Sequence, residues 1–386
     1  MTLKEILFSL LRAELFGMPL PTELKEALDG EQLEKLYRIT KSQDLAHLLG
    51  DVLLRENLLS DNKELLQKFI VERRMAFYRR EQLNYELKNV CEILESVGVE
   101  YLPLKGSILQ SYYPEPWMRT SCDIDVLIRQ GDVERSVKSL CENGFKVEGD
   151  HYHDMSLYSM SNVHLELHYE LIEERDSLVI HTMLSDIWSK VLPMENTAYG
   201  RTMSNELFLF YHVAHMAKHF VYGGCGIRPF LDLWIMENKF DFNRQALQAL
   251  LKEGGIYRFY EYALRLSAHW FTGESADETS VEMENYLLRG GVYGSTENKI
   301  SVNRDKPKNK FAYVLSCVFL SYGNLKLIYP SLGRHKWLFP FYQVRRWFRI
   351  IFKGVSKNTK HTLKSYDEVT DEQRDRVKDL LKTLEL

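Results

Sequence analysis

The chain has 386 residues, enough for two or three domains and a sizeable core. Apolar residues make up 45% and charged residues 27%, which argues against general disorder, and a net charge of −4 weighs against a dedicated nucleic-acid binder. Five cysteines (Cys91, Cys122, Cys141, Cys225 and Cys317) without a C-x-x-C pair argue against a disulfide framework or a cysteine-rich zinc site.

The opening MTLKEILFSLLRAELFG carries Lys4, Glu5, Arg12 and Glu14 and reads as a first amphipathic helix, not a cleaved signal. No window of about 18 apolar residues lacks charge, so no membrane span is expected and the cytoplasm is the expected setting. Residues 1–95 form an N-terminal helical region. Leu7, Leu10, Leu11 and Leu15 recur at helical spacing, and 69–98 continues a 3.6-residue pattern until Gly98 ends it.

Residues 96–200 change texture and predict a small α/β core. VEYLPLKG is a strand entering a glycine turn, SILQSYY a short helix stopped by Pro114 and Pro116, and CDIDVLI a strand. GDVERSVKSLCENG is a helix between glycines, FKVEGD and DMSLYSM are strands, and EPW (115–117) is a loop. VHLELHYEL (163–171) alternates most regularly, with His164, Glu166, His168 and Glu170 on its polar face. Residues 201–386 are again helical, with a loop at 290–310. They include a stretch from Lys306 to Tyr366 with thirteen Lys and Arg and no Asp or Glu. The fold class expected is α+β, a small mixed-sheet core flanked by helical regions.

Three pieces of this core carry polar groups that its apolar texture does not explain. Lys105-Gly106-Ser107 stands at a strand-to-helix turn, where exposed backbone N–H groups can hold a phosphate. Asp123 and Asp125 alternate along one strand, so both carboxylates face one side and repel. Something cationic is expected between them. Glu166 is the candidate third carboxylate, with Glu170 its rival on the same face. An oxygen-rich trio of Asp123, Asp125 and Glu166 suits Mg²⁺, and two ions there would stabilise both oxygens of an in-line phosphoryl displacement. Glu166 is also placed to take a proton from an acceptor hydroxyl.

In its order of motifs, LKGSILQSYYPEPWMRTSCDIDVLI resembles the "uncharacterised nucleotidyltransferase" family of the DNA-polymerase-β-like nucleotidyltransferase superfamily. That family shows a Lys-Gly turn, a Tyr-Pro, an Arg and an Asp-Ile-Asp segment. An acidic-x-His strand follows, met here by Glu166-Leu167-His168, then a His, His, Arg, Asp series met by His215, His219, Arg228 and Asp232. An aromatic, basic C-terminal portion is also similar. The interval between Ser107 and Asp123 is longer than in many superfamily members, and Cys122 stands directly before the first acid. The resemblance implies Mg²⁺-dependent transfer of a nucleoside monophosphate from an NTP, such as ATP, to a hydroxyl-type acceptor. That acceptor is open among a small molecule, a saccharide, a peptide and a protein. Asp123, Asp125 and Glu166 would be catalytic and metal-binding, and Lys105, Gly106, Ser107 and Arg119 would bind nucleotide. His168, His215, His219, Arg228 and Asp232 would line the cleft.

Several alternatives stay open on the residues alone. His215 and His219 are one helical turn apart, which also suits a zinc pair, though no third ligand is evident. Arg228 and Asp232 have the spacing of a structural ion pair. Tyr112, Tyr113 and Trp117 either frame a ligand or pack in the core. Residues 335–354, HKWLFPFYQVRRWFRIIFKG, interleave aromatics and cations. They read as a helix on an anionic membrane surface, as a site for an acidic or nucleic-acid-like partner, or as a basic rim with its aromatics packed inward. The competing function is a catalytically inactive nucleotide- or partner-binding protein that retains the fold.

Overall fold

The computed structural model describes residues 1–58, 62–150, 154–174, 176–291, 294–302, 318–323, 325, 329–333, 335–353 and 369–386. At its start, Thr2 and Glu5 close a capping box over α1 (Leu3–Phe16), and Gly17 ends that helix in the left-handed region. Helices α2 (Leu24–Ala27), α3 (Gly30–Ser42) and α4 (Ala46–Arg55) follow, and then the 34-residue α5 (Lys63–Ser96). The Asn62 side chain caps α5 by accepting from the Leu65 N–H. At its far end Gly98, at φ +67°, turns the chain into β1 (Tyr101–Pro103).

The core continues with α6 (Gly106–Leu109), β2 (Asp123–Ile128), α7 (Val133–Glu142), β3 (Lys146–Asp150), β4 (Asp154–Tyr158) and β5 (His164–His168). The five strands form one mixed sheet in the order β1-β2-β5-β4-β3. Only the central β2–β5 pairing is parallel, and it sets Asp123 opposite His164 and Asp125 opposite Glu166. One face of the sheet packs Ile124, Val126, Ile128, Leu165 and Leu167 against Val90, Ile93 and Leu94 of α5 and Leu140 of α7. The period of two then forces Asp123, Asp125 and Glu166 onto the other face.

Beyond α8 (Leu178–Ser185) and a short hairpin of β6 (Leu192–Pro193) and β7 (Arg201–Thr202) lie α9 (Asn205–Val221), α10 (Arg228–Lys239), α11 (Arg244–Glu253) and α12 (Tyr257–Thr272). Next come α13 (Glu278–Leu288) and α14 (Thr296–Val302), then helices Phe339–Lys353 and Asp371–Thr383. A single buried cluster joins Leu10 and Leu49 near the N-terminus to Phe210, Phe230, Trp270 and Leu384. The two helical regions therefore share one hydrophobic core, and the α+β class with helical flanks holds.

Local differences have local causes. The strand expected over 163–171 ends at His168, where the ladder with β4 and β2 also stops. The EPW loop closes as a 3₁₀ turn over Pro116–Met118 because Trp117 and Met118 are buried. Part of the loop expected at 290–310 is α14, and residues 292–293 and 303–310 lie outside the described residues. So does much of the basic stretch. Among the described residues, no helix is long and apolar enough to cross a membrane.

Candidate active site

The β1–α6 turn brings Lys105 to the carboxylates in a backbone conformation that side chains rarely adopt, φ +45° and ψ −113°. Its ammonium lies 3.2 Å from Asp125 Oδ1, while the backbone N–H of Leu104 donates to the Asp125 carbonyl at 3.0 Å. At Gly106 a Cβ would come within 3.3 Å of Arg119 Nη1 and 3.5 Å of Ser121 Cβ. The glycine therefore lets the Arg119–Ser121 loop lie against the turn.

Asp123, Asp125 and Glu166 converge as the strand register requires. Ligand atoms of Asp125, Glu166 and His168 lie within 4.8 Å of one another, and so do those of Asp123, His164 and Glu166. Glu166 belongs to both groups. Burial and the charges of Asp125 and Glu166 raise the Asp123 carboxyl above its ordinary value, against the hydroxyl of Ser121, which donates to it at 2.9 Å. For Asp125 burial acts in the same direction, but it is outweighed by the Lys105 charge and by His168, whose Nε2 lies 2.8 Å from Oδ1. The Asp125 carboxyl is accordingly held low. His168 moves up to about 9, because its bonds to Asp125 and Glu166 overcome the burial that would lower it. The cationic partner expected between the aspartates thus has a protein component, Lys105 and His168. The donor set, three carboxylates on a rigid sheet, fits a divalent cation.

Across from the sheet, α9 and α10 close a cavity of about 340 Å³, a size that accommodates a small ligand. Tyr211, His212, His215, Met216, Lys218 and His219 all line it from one face of α9, as the helical period dictates. His215 Nε2 and His219 Nε2 are 3.2 Å apart. Burial, with the nearby Lys105 charge, keeps His215 well below an ordinary histidine and hence neutral. Burial likewise pushes Tyr211 up to about 12. His212 bonds to the Pro229 carbonyl at 2.9 Å, which ties α9 to α10. Lys218 pairs with Asp176 at 2.6 Å.

A family model described as "Uncharacterised nucleotidyltransferase" matches residues 29–272, from α3 to the end of α12. The chain belongs to that nucleotidyltransferase family. Both the carboxylate face and the α9–α10 wall fall inside the match, whereas the helix Phe339–Lys353 falls outside it. No curated protein matches the chain.

In this member of the family the other motif residues are distributed unevenly. Lys105, Gly106, Arg119, His168, His215, His219, Arg228 and Asp232 line the cavity with the three carboxylates. Ser107 instead lines a narrow neighbouring cleft against α5, with Arg80 and Asn84, and that cleft shares Gly106, Arg119, Ser121 and Asp123 with the main cavity. Arg119 Nε and Nη2 bond to Asp232, and Tyr113 donates to the same carboxylate at 2.7 Å. Arg228 pairs with Asp44 at 2.7 Å and reaches the Thr120 carbonyl at 3.1 Å. Two inter-element pairs, Arg119–Asp232 and Arg228–Asp44, thus replace the local Arg228–Asp232 pair that helical spacing allows. Tyr113 and Trp117 are buried, and Tyr112 is exposed. Among the described residues no third ligand gathers around His215 and His219, so the zinc-pair reading has no support.

Residues that the sequence did not single out are Tyr211, His212, Ser121, Lys218 and Asp44. For the α9 residues the signal was present, since Tyr211 and His212 precede His215 by one helical turn. For Asp44 there was none, because nothing local links it to a guanidinium 184 residues away.

Proposed function

We propose that the protein is a metal-dependent nucleotidyltransferase that moves a nucleoside monophosphate from an NTP to an acceptor hydroxyl. The observation that carries this reading is the convergence of Asp123, Asp125 and Glu166 on one sheet face at the floor of the cavity, within the family match. Asp123, Asp125 and Glu166 would hold Mg²⁺, two ions in the fullest arrangement. Bound there, the metal would neutralise phosphate charge and stabilise the in-line displacement.

The chain's own groups do the rest. Lys105, with the backbone of the Gly106–Ser107 turn, holds the β and γ phosphates, exchanging its contact with Asp125 for one with phosphate. Glu166 takes the proton of the acceptor hydroxyl as that oxygen bonds to the α phosphorus. The bond from the α phosphorus to its bridging oxygen breaks, and pyrophosphate leaves. Arg119 acts as a positioning residue that Asp232 locks beside the turn. His168 orients Asp125, while Tyr211, His215 and His219 form the wall against which the acceptor lies. The acceptor class is that of a hydroxyl on a small molecule, saccharide, peptide or protein.

A second reading, nucleotide binding without catalysis, has one observation in its favour. Lys105 and His168 already offset Asp125, so the fold does not depend on a metal ion to tolerate its carboxylates. Isothermal titration of each of the four NTPs as non-hydrolysable analogues, with and without Mg²⁺, separates the two. Metal-dependent binding of a nucleotide that disappears in Asp123→Ala/Asp125→Ala supports the transferase. Binding indifferent to metal and to those substitutions supports the binding protein, and no binding at all sinks both.

A further inference from the structure

The helix Phe339–Lys353 lies beyond the family match and takes no part in the cavity. Its sequence allowed an inward-packed basic rim, yet several of its large apolar side chains are exposed. Trp337 is 68% exposed, Phe341 67%, Val344 41% and Phe348 55%. These positions are separated by four, three and four residues, so they form one narrow stripe along the helix and the turn that leads into it. An adjacent side is the one that packs. Gln343 is buried and donates to the Leu320 carbonyl, and Trp347 donates to the Val318 carbonyl at 2.7 Å.

Cations flank the stripe. Lys336, Arg345 and Arg349 are all exposed beside it. From Lys306 to Tyr366 the sequence contains no carboxylate to neutralise them. A helix with exposed Trp and Phe on one side and Arg and Lys along its margin has the form that lies in a membrane interface. The rings enter the headgroup–acyl boundary, and the cations meet anionic headgroups. A nucleic-acid site would have cations tracking a phosphate backbone. Here exposed rings form an apolar stripe between the cations, which a phosphate backbone has no use for.

We infer that Trp337, Phe341, Val344 and Phe348, with Lys336, Arg345 and Arg349, form a peripheral docking face for an anionic lipid bilayer. The test is co-sedimentation of the full chain with vesicles of phosphatidylcholine alone and of phosphatidylcholine mixed with phosphatidylglycerol. The expected result is at least tenfold greater partition onto the anionic vesicles, weakening as salt rises. Trp337→Ala/Phe341→Ala/Phe348→Ala and, separately, Arg345→Glu/Arg349→Glu should each lower that partition at least tenfold at an unchanged melting temperature. Should a variant fail to fold, a bromolipid that quenches wild-type fluorescence more than that of Trp337→Phe supports the same face. Absence of partition, equal partition onto neutral vesicles, or partition unaffected by these substitutions overturns the proposal. So does tight salt-sensitive binding of an RNA oligomer with no vesicle binding, or a dimer in solution that the triple substitution dissociates.

Discussion

Arg119 and Asp232 form a two-pronged ion pair across 113 residues of sequence, with Nε 2.8 Å from Oδ1 and Nη2 2.9 Å from Oδ2. Both side chains are buried, and the pair joins the loop before β2 to helix α10. Removing one member leaves the other charged and dry. Asp232→Ala should therefore cost about 3–5 kcal/mol in urea unfolding, with a smaller loss in Asp232→Asn, which keeps a partner for the Tyr113 hydroxyl. The pair also sets an acid limit. Burial alone would raise the Asp232 carboxyl, but Arg119 and Tyr113 hold it below its ordinary value of 3.8. The unfolded chain thus takes up the proton first, so the stability is complete above the ordinary value and is lost as pH falls through the lower folded one. Asp232→Asn should flatten the acid limb of stability against pH.

Lys105 sits at φ +45°, where a Cβ is disfavoured. Lys105→Ala and Lys105→Gly both remove the ammonium, so their difference isolates the backbone. The glycine variant should be more stable by about 1–3 kcal/mol, measured by denaturant unfolding, and both should bind NTP at least tenfold more weakly. Equal stability of the two would show that the turn stores no strain.

Asp123 differs in sign from Asp125. Its carboxyl is raised in the folded chain, so at neutral pH its charge opposes folding in metal-free buffer. Asp123→Asn should raise the melting temperature in chelator while abolishing the further rise caused by Mg²⁺. Asp125→Asn should lower the melting temperature in chelator, because Lys105 and His168 lose their anion. Differential scanning calorimetry with and without metal reads both.

Gly106 makes room for Arg119. In Gly106→Ala the new methyl would stand 3.3 Å from Arg119 Nη1. Because Asp232 clamps that guanidinium, the crowding should cost about 1–3 kcal/mol in unfolding. Nucleotide affinity should fall about tenfold, since the guanidinium and the phosphate-binding turn move together. A titration that finds unchanged affinity would separate Arg119 from the nucleotide site.

The carboxylates were legible because two periodicities agree. Asp123 and Asp125 alternate with Ile124 and Val126, and Glu166 alternates with Leu165 and Leu167, so the buried apolar side fixes where the acids face. The helices α9 to α12 were legible for the same reason. What remained hidden was partnership across distance. Helical spacing offered Arg228 to Asp232, whereas packing gave Arg228 to Asp44 and Arg119 to Asp232. Local sequence carries propensity and period, but a choice among distant partners is settled by the closure of the whole core. The same holds for Trp117, whose loop setting concealed its stack on Phe77 at 4.7 Å.

The parallel pairing of β2 with β5 has a consequence for the order of folding events. Its strands are separated by α7, β3 and β4, so its longer-range ladder should close after the local β3–β4 pairing. Asp125 and Glu166 come into register at that moment. A chain caught before it would have a helical N-terminal half and a local hairpin, yet no place to chelate. On the proposed function, metal affinity would therefore be a clock that starts late. In a refolding reaction, ion uptake would follow the recovery of helical circular dichroism and coincide with burial of the sheet.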